Sequence, residues 1–260
     1  MRRTQRLTET DADRGVSEVI AFVLVFGIIF GSVAILSMTG FQAMESYQET
    51  EQLQNAERAM GALADTYNDV MRYGGIEERY GELALQGGTV VTGSDGTQLN
   101  ITVGGDHLEN SSHFDEEEFE SVADEGVVSL GEFRYEHGSD EVAYDGGAVV
   151  RASERNGETD SVLLEEPHLK YNNETDTAII SLVSVDADDR SIRSDENLGF
   201  TMSVDERSSA TADIDSNENL SIKLEGEPRY EGAWEEELED WEDRDVDRLL
   251  ITIVEVEIDR

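Results

Sequence analysis

The chain has 260 residues, room for one small domain on a stalk or for two domains, and its 60 acidic residues against 19 lysines and arginines leave a formal net charge of −41. Such a field repels phosphate backbones, which argues against a nucleic-acid partner. Cysteine is absent, which removes disulfides, thiolate chemistry, cysteine-based zinc sites and a lipidated cysteine anchor together, while a 38% share of hydrophobic residues argues against a wholly disordered chain.

Residues 1–15, MRRTQRLTETDADRG, are polar, carry Arg2, Arg3, Arg6 and Arg14, and show no apolar periodicity. From Val19 to Met38 no residue is charged. At about 1.5 Å per helical residue this stretch spans roughly 30 Å, the thickness of a hydrocarbon core. Ser32 and Ser37 are its polar residues, and both can bond back to their own helix. Arginine lies before the span, whereas Thr39 to Glu51 carries acids and no base, so the positive-inside bias places the N-terminus in the cytoplasm.

A helical pattern continues behind the span. Leu53, Ala56, Met60, Leu63, Tyr67 and Val70 follow steps of three and four, an apolar stripe on one face, and Gly74-Gly75 supplies a stop. Residues 17–73 as one helix would reach roughly 85 Å. From Ile76 onward the period falls to two. Strands are predicted at 99–103, 127–135, 141–144, 148–152, 161–164, 168–171, 177–185, 198–204, 210–214, 220–224 and 248–258, with loops at 105–126 and 186–197. The last strand, in LLITIVEVEI, opens as a continuous apolar run, which suits a central position. Within 231–243, Trp234, Leu238 and Trp241 share one helical face and are expected to dock on a sheet. The predicted fold class is α+β: a long N-terminal helix and an antiparallel, sandwich-like β-rich head.

No conventional signal-peptide cleavage pattern follows the apolar run. The small and polar residues stand before it, at Asp13-Arg14-Gly15-Val16-Ser17-Glu18. With RGVSEVIAFVLVFGIIFG the sequence resembles archaeal type IV pilins over about residues 13–40. The resemblance implies four regions: a cytoplasmic leader, 1–15; a transmembrane or pilin-core helix, 16–40; an amphipathic extension, 41–75; and an extracellular head, 76–260. It also implies a membrane-embedded prepilin peptidase that cuts between Gly15 and Val16. Salt-loving archaea commonly have Ser-Pro-Val-Ile where this chain has Ser17-Glu18-Val19-Ile20. Glu18 can pair with the new amine of Val16 or of a neighbouring subunit, or it can simply favour a helix N-terminus. The stretch LGEFRYEHGSDEVAYDGGAVV is similar to a family of pilin-like proteins without assigned activity, which adds architecture but no chemistry.

Only two of the basic residues, Lys170 and Lys223, are lysines. Acid-rich, lysine-poor composition resembles that of proteins from salt-loving archaea, where molar salt shrinks the screening length to about 3 Å. An acidic cluster in this chain therefore points to no particular site. Among His107, His113, His137 and His168 no spacing matches a zinc motif, and no serine elbow is present. Asp213, Asp215 and Asn217 have the spacing of a calcium loop, but Glu218 stands where that loop needs glycine. Asn100, Asn110, Asn173 and Asn219 open Asn-x-Ser/Thr sequons, all in the head. No cofactor and no catalytic residue is expected.

These features predict a non-catalytic, pilin-like or pseudopilin-like cell-surface protein, inserted by its N-terminal helix and assembled into a type IV pilus-like filament for adhesion or surface structure. Its expected partners are the membrane, the prepilin peptidase, and copies of itself or other pilin-like subunits. The alternatives are a permanently anchored extracellular binding module and a tethered enzyme.

Overall fold

The computed structural model describes residues 9–83, 87–94, 96–115, 118–123, 126–155, 157–193, 197–215 and 218–259. The chain divides into two compact units, Met1–Glu51 and Gln52–Arg260. Helix α1 (Glu9–Tyr67) contributes to both, and α2 (Asp69–Arg72) follows at once. The strands are β1 (Glu78–Leu83), β2 (Thr89–Gly93), β3 (Gln98–Val103), β4 (Asp106–His107), β5 (Val127–Ser129), β6 (Glu132–His137), β7 (Asp140–Asp145) and β8 (Ala148–Arg155). They continue with β9 (Glu158–Glu165), β10 (His168–Asn172), β11 (Thr177–Asp186), β12 (Arg190–Arg193), β13 (Leu198–Asp213) and β14 (Asn219–Leu224). Helix α3 (Glu231–Leu238), a 3-10 turn at Glu239–Trp241, β15 (Arg244–Asp245) and β16 (Arg248–Asp259) complete the chain.

The α+β class is as expected, an apolar N-terminal helix followed by a large β-rich region. The helix limits differ from the predicted 17–73. Described from Glu9, helix α1 includes residues of the predicted leader. It ends at Tyr67: Asn68 still donates its backbone N–H to the Ala64 carbonyl at 2.7 Å, but Met71 then reaches the Asn68 carbonyl at 3.2 Å in a tighter turn, and the Asn68 side chain serves the head. Asn68 is buried, its Nδ2 donates to the Gly147 carbonyl at 2.8 Å, and its Oδ1 accepts from the Tyr144 hydroxyl at 2.8 Å. Arg207 then ties α2 to the chain that follows it, donating from Nη1 to the Val70 carbonyl at 2.6 Å and from Nη2 to that of Ile76 at 3.3 Å.

Three sheets form the β-rich unit. Their orders are β1-β13-β16-β11-β10, β12-β2-β6-β7-β8-β9, and β15-β14-β3-β4 with β5 paired to β3. The described ladders are antiparallel except one: β11 and β16 run parallel from Thr177–Arg248 to Asp186–Glu257. A parallel neighbour requires a long crossover, supplied here by residues 187–247. As its apolar opening suggested, β16 is central, between β13 and β11.

Two cores share these sheets. The predicted stripe of α1 enters one of them: Ala56, Met60, Leu63, Tyr67 and Val70 are buried against Leu83, Phe133, Tyr144, Phe200 and Val256, with Leu53 at the margin. Tyr67 meets Phe133 and Tyr144 edge-on, with ring centroids 6.3 and 5.8 Å apart. The other core gathers Ile101, Ile222, Ile180, Ile251 and Trp234, with Leu238 and Trp241 at its edge. Strand β16 serves both: Leu249, Ile251 and Ile253 face one core, Val254, Val256 and Ile258 the other. The adjacent pair Ile253-Val254 marks the change of face, which is why the sequence there reads as a continuous apolar run.

Candidate functional site

In the first unit the notable feature is α1 itself. Its segment Glu18–Phe41 is long and apolar enough to cross a membrane, a property shared by single spans and signal sequences. Every side chain from Glu18 to Phe41 is exposed, including Val19, Phe22, Phe26, Phe30 and Leu36. An exposed apolar surface of this extent is of the kind that suits contact with lipid or with other protein. Phe22, Phe26 and Phe30 line up along one face, with successive ring centroids 5.8 and 4.3 Å apart. Of the two serines, Ser32 bonds back to the Ile29 carbonyl at 2.8 Å; Ser37 makes no such bond, whereas Thr39 reaches the Ile35 carbonyl at 2.9 Å. The backbone of Gly15 and Val16 lies within α1, and Glu18 is exposed.

In the second unit a polar cluster is built around Asp145. The residue ends β7, at the turn where Gly146 and Gly147 take positive φ. It is 1% exposed. Its Oδ2 accepts from Thr97 Oγ1 at 2.6 Å and from Trp234 Nε1 at 2.7 Å, while its Oδ1 has no partner among the described residues. Burial raises its pKa to about 6, and the two hydrogen bonds offset part of that rise. Buried Glu141 accepts both Nε and Nη2 of Arg229, at 2.6 and 2.8 Å, a bidentate pair. Arg134 also approaches Glu141, at 3.6 Å, and pairs with Glu132 and Glu136. The Tyr230 hydroxyl, also buried and unpartnered, has its pKa raised by burial first and then by Glu141 and Asp145. A cavity of about 280 Å³ adjoins the cluster, lined by Thr97, Gln98, Phe133, Tyr144, Arg229 and Tyr230 among others.

A carboxyl that titrates near neutrality suits proton transfer only if a substrate reaches it. Asp145 Oδ1 is sealed from solvent, so in this conformation the cluster anchors α3 and the β7–β8 turn rather than presenting a base. Sequence reasoning missed this cluster because one acid among sixty carries no signal of its own. A larger open groove of about 710 Å³ between β14 and α3 is lined by Glu231, Glu235, Glu239 and Glu242 with Lys223.

Of the three calcium-loop residues, Asp213 and Asp215 lie among the described residues. Asp213 accepts from Arg248 Nε at 2.8 Å, Asp215 is exposed, and Asn217 lies outside the described residues. Among the described residues there is no group of three or more histidine, aspartate or glutamate side chains arranged to hold a metal. The sequons are spread over the head: Asn100 within β3, Asn110 at the end of a 3-10 turn, Asn173 in the β10–β11 turn and Asn219 at the start of β14.

No curated protein and no solved structure matches the chain. The pattern of one family spans both units, from the Arg14-Gly15 junction through α1 to the end of β16. With residues 14–259 matched, the chain belongs to the Family of unknown function (DUF7289).

Proposed function

We propose that this is a non-catalytic, pilin-like cell-surface protein, inserted by its N-terminal helix and assembled through that helix with copies of itself or other pilin-like subunits. The observation that carries the reading is the segment Glu18–Phe41, apolar and exposed all round, with Arg14-Gly15-Val16 directly before it. In this reading the leader is cytoplasmic and the head extracellular. A prepilin peptidase cuts between Gly15 and Val16, and the apolar helices then leave lipid to pack against one another. Burying apolar side chains among helices of like character costs little when they come from lipid, so packing and Glu18 pairing direct the assembly. Mass spectrometry of the mature N-terminus tests the first step. A protein beginning at Val16 is expected, and one beginning at Met1 or Arg2 overturns the processing.

A permanently anchored binding module is the second reading, favoured by the cavity beside Arg229 and Tyr230. Electron microscopy of sheared surface material separates the two, since only the first yields filaments containing this chain.

A further inference from the structure

The four sequons are not equivalent once folded. Transfer of a glycan to asparagine requires the acceptor amide and the hydroxyl two residues later to be reachable together. At Asn219 the second group fails: Ser221 is buried with its hydroxyl unpartnered, and Asn219 Nδ2 leans on Asp243 at 3.4 Å. Asn100 fails through its backbone. It lies in β3 with β14 on one side and β5 on the other, half-buried opposite Lys223 and Val127, so the strand cannot bend out without breaking two ladders. Asn110 is exposed, but its Nδ2 donates to Glu109 Oε1 at 3.1 Å.

Asn173 differs on each count. It stands at the tip of the β10–β11 hairpin, where residues 172–176 are all exposed, and β10 is the edge of its sheet. Its amide has no protein partner among the described residues. The turn is shaped by its neighbour instead: Asn172 Oδ1 accepts from the Glu174 amide at 2.9 Å and the Asn172 carbonyl from the Thr175 amide at 3.3 Å. Thr175 is exposed, and its hydroxyl donates to Oγ1 of Thr177, the first residue of β11, at 2.9 Å.

We propose that Asn173 is the N-glycosylation site of this head, in preference to the other three sequons. The inference rests on the extracellular placement proposed above. The donor is an oligosaccharide held through phosphate on a membrane lipid. Asn173 Nδ2 forms a bond to the anomeric carbon, and the bond from that carbon to the phosphate oxygen breaks. The lipid phosphate leaves with the electron pair, and the amide proton passes to a base of the transferase.

The test is glycopeptide mass spectrometry on protein purified from the membranes of its own cells. The Asn173 peptide is expected to carry sugar mass increments, with the Asn100, Asn110 and Asn219 peptides at their plain masses. Asn173→Gln and Thr175→Ala each remove the increments, and Thr175→Ser keeps them. A bare Asn173 peptide, or sugar on Asn100, Asn110 or Asn219, overturns the proposal. Protease treatment of intact cells separates this from the placement itself. A digested head with bare Asn173 sinks the glycan alone, while a protected head with bare Asn173 sinks both.

Discussion

Asp145 is one acid among 60, and burial to 1% exposure sets it apart from an ordinary surface carboxylate. Its folded pKa, about 6, lies above the ordinary value of 3.8. The folded state therefore binds the proton more tightly than the unfolded chain does. Stability from this group is fully present below about pH 4, falls as pH rises, and is lost above about pH 6. Asp145→Asn keeps an acceptor for Thr97 and Trp234 but cannot titrate. In urea unfolding at constant molar salt, the stability difference between wild type and Asp145→Asn should be flat above pH 6.5. It should shift by on the order of 2–3 kcal/mol in favour of the wild type towards pH 4. A difference that stays flat throughout would give Asp145 an ordinary pKa.

Helix α1 and β1 meet where Gly81 faces Leu63. A Cβ added at Gly81 would collide with Leu63 Cδ1, and Leu63 is itself buried. Gly81→Ala should cost about 1–3 kcal/mol through overpacking and Leu63→Ala about 2–4 kcal/mol through the lost side chain. Together they should cost less than their sum, because the methyl fills part of the space the leucine leaves. Chemical denaturation of the four proteins of this cycle checks the coupling, and strict additivity would contradict the contact. The seam was legible in advance, since the stripe from Leu53 to Val70 announces both helix and buried face. Other elements were not. Strand β13 runs unbroken over Leu198–Asp213, whereas the sequence suggested two strands, because Asp205-Glu206-Arg207-Ser208-Ser209 shows no alternation; its pairing with β16, through a bulge between Val204 and Glu206, holds it extended. The reverse occurs at Val127–Tyr135, predicted as one strand, where Gly131 takes φ +68° and a Cβ there would strike the Val185 carbonyl. That break is dictated by a strand far along the chain. Strand β12 lay in a predicted loop because its Arg190-Ser191-Ile192-Arg193 sits on a sheet edge and needs little burial. The Asp145 cluster joins β7, the residue before β3 and α3, and no local pattern reports such a meeting.

For the whole molecule, a formal charge of −41 sets the working conditions. At about 0.1 M salt the screening length is roughly 10 Å and acidic neighbours repel; near 1 M it is about 3 Å. The thermal midpoint should rise on the order of 10 °C from 0.1 to 2 M potassium chloride, beyond any rise produced by an uncharged osmolyte of equal osmolality. Equal effects of salt and osmolyte would remove charge screening as the cause. The central place of β16 has a consequence of another kind. A ribosome delivers the chain from its N-terminal end, so β10, β11 and β13 all exist before residues 248–259 are made. Until those residues arrive, β11 lacks its parallel neighbour and β13 its longest one, and two rows of backbone groups stand open to water or to another chain. The sheet is thus completed only when a strand made after both of its neighbours enters between them.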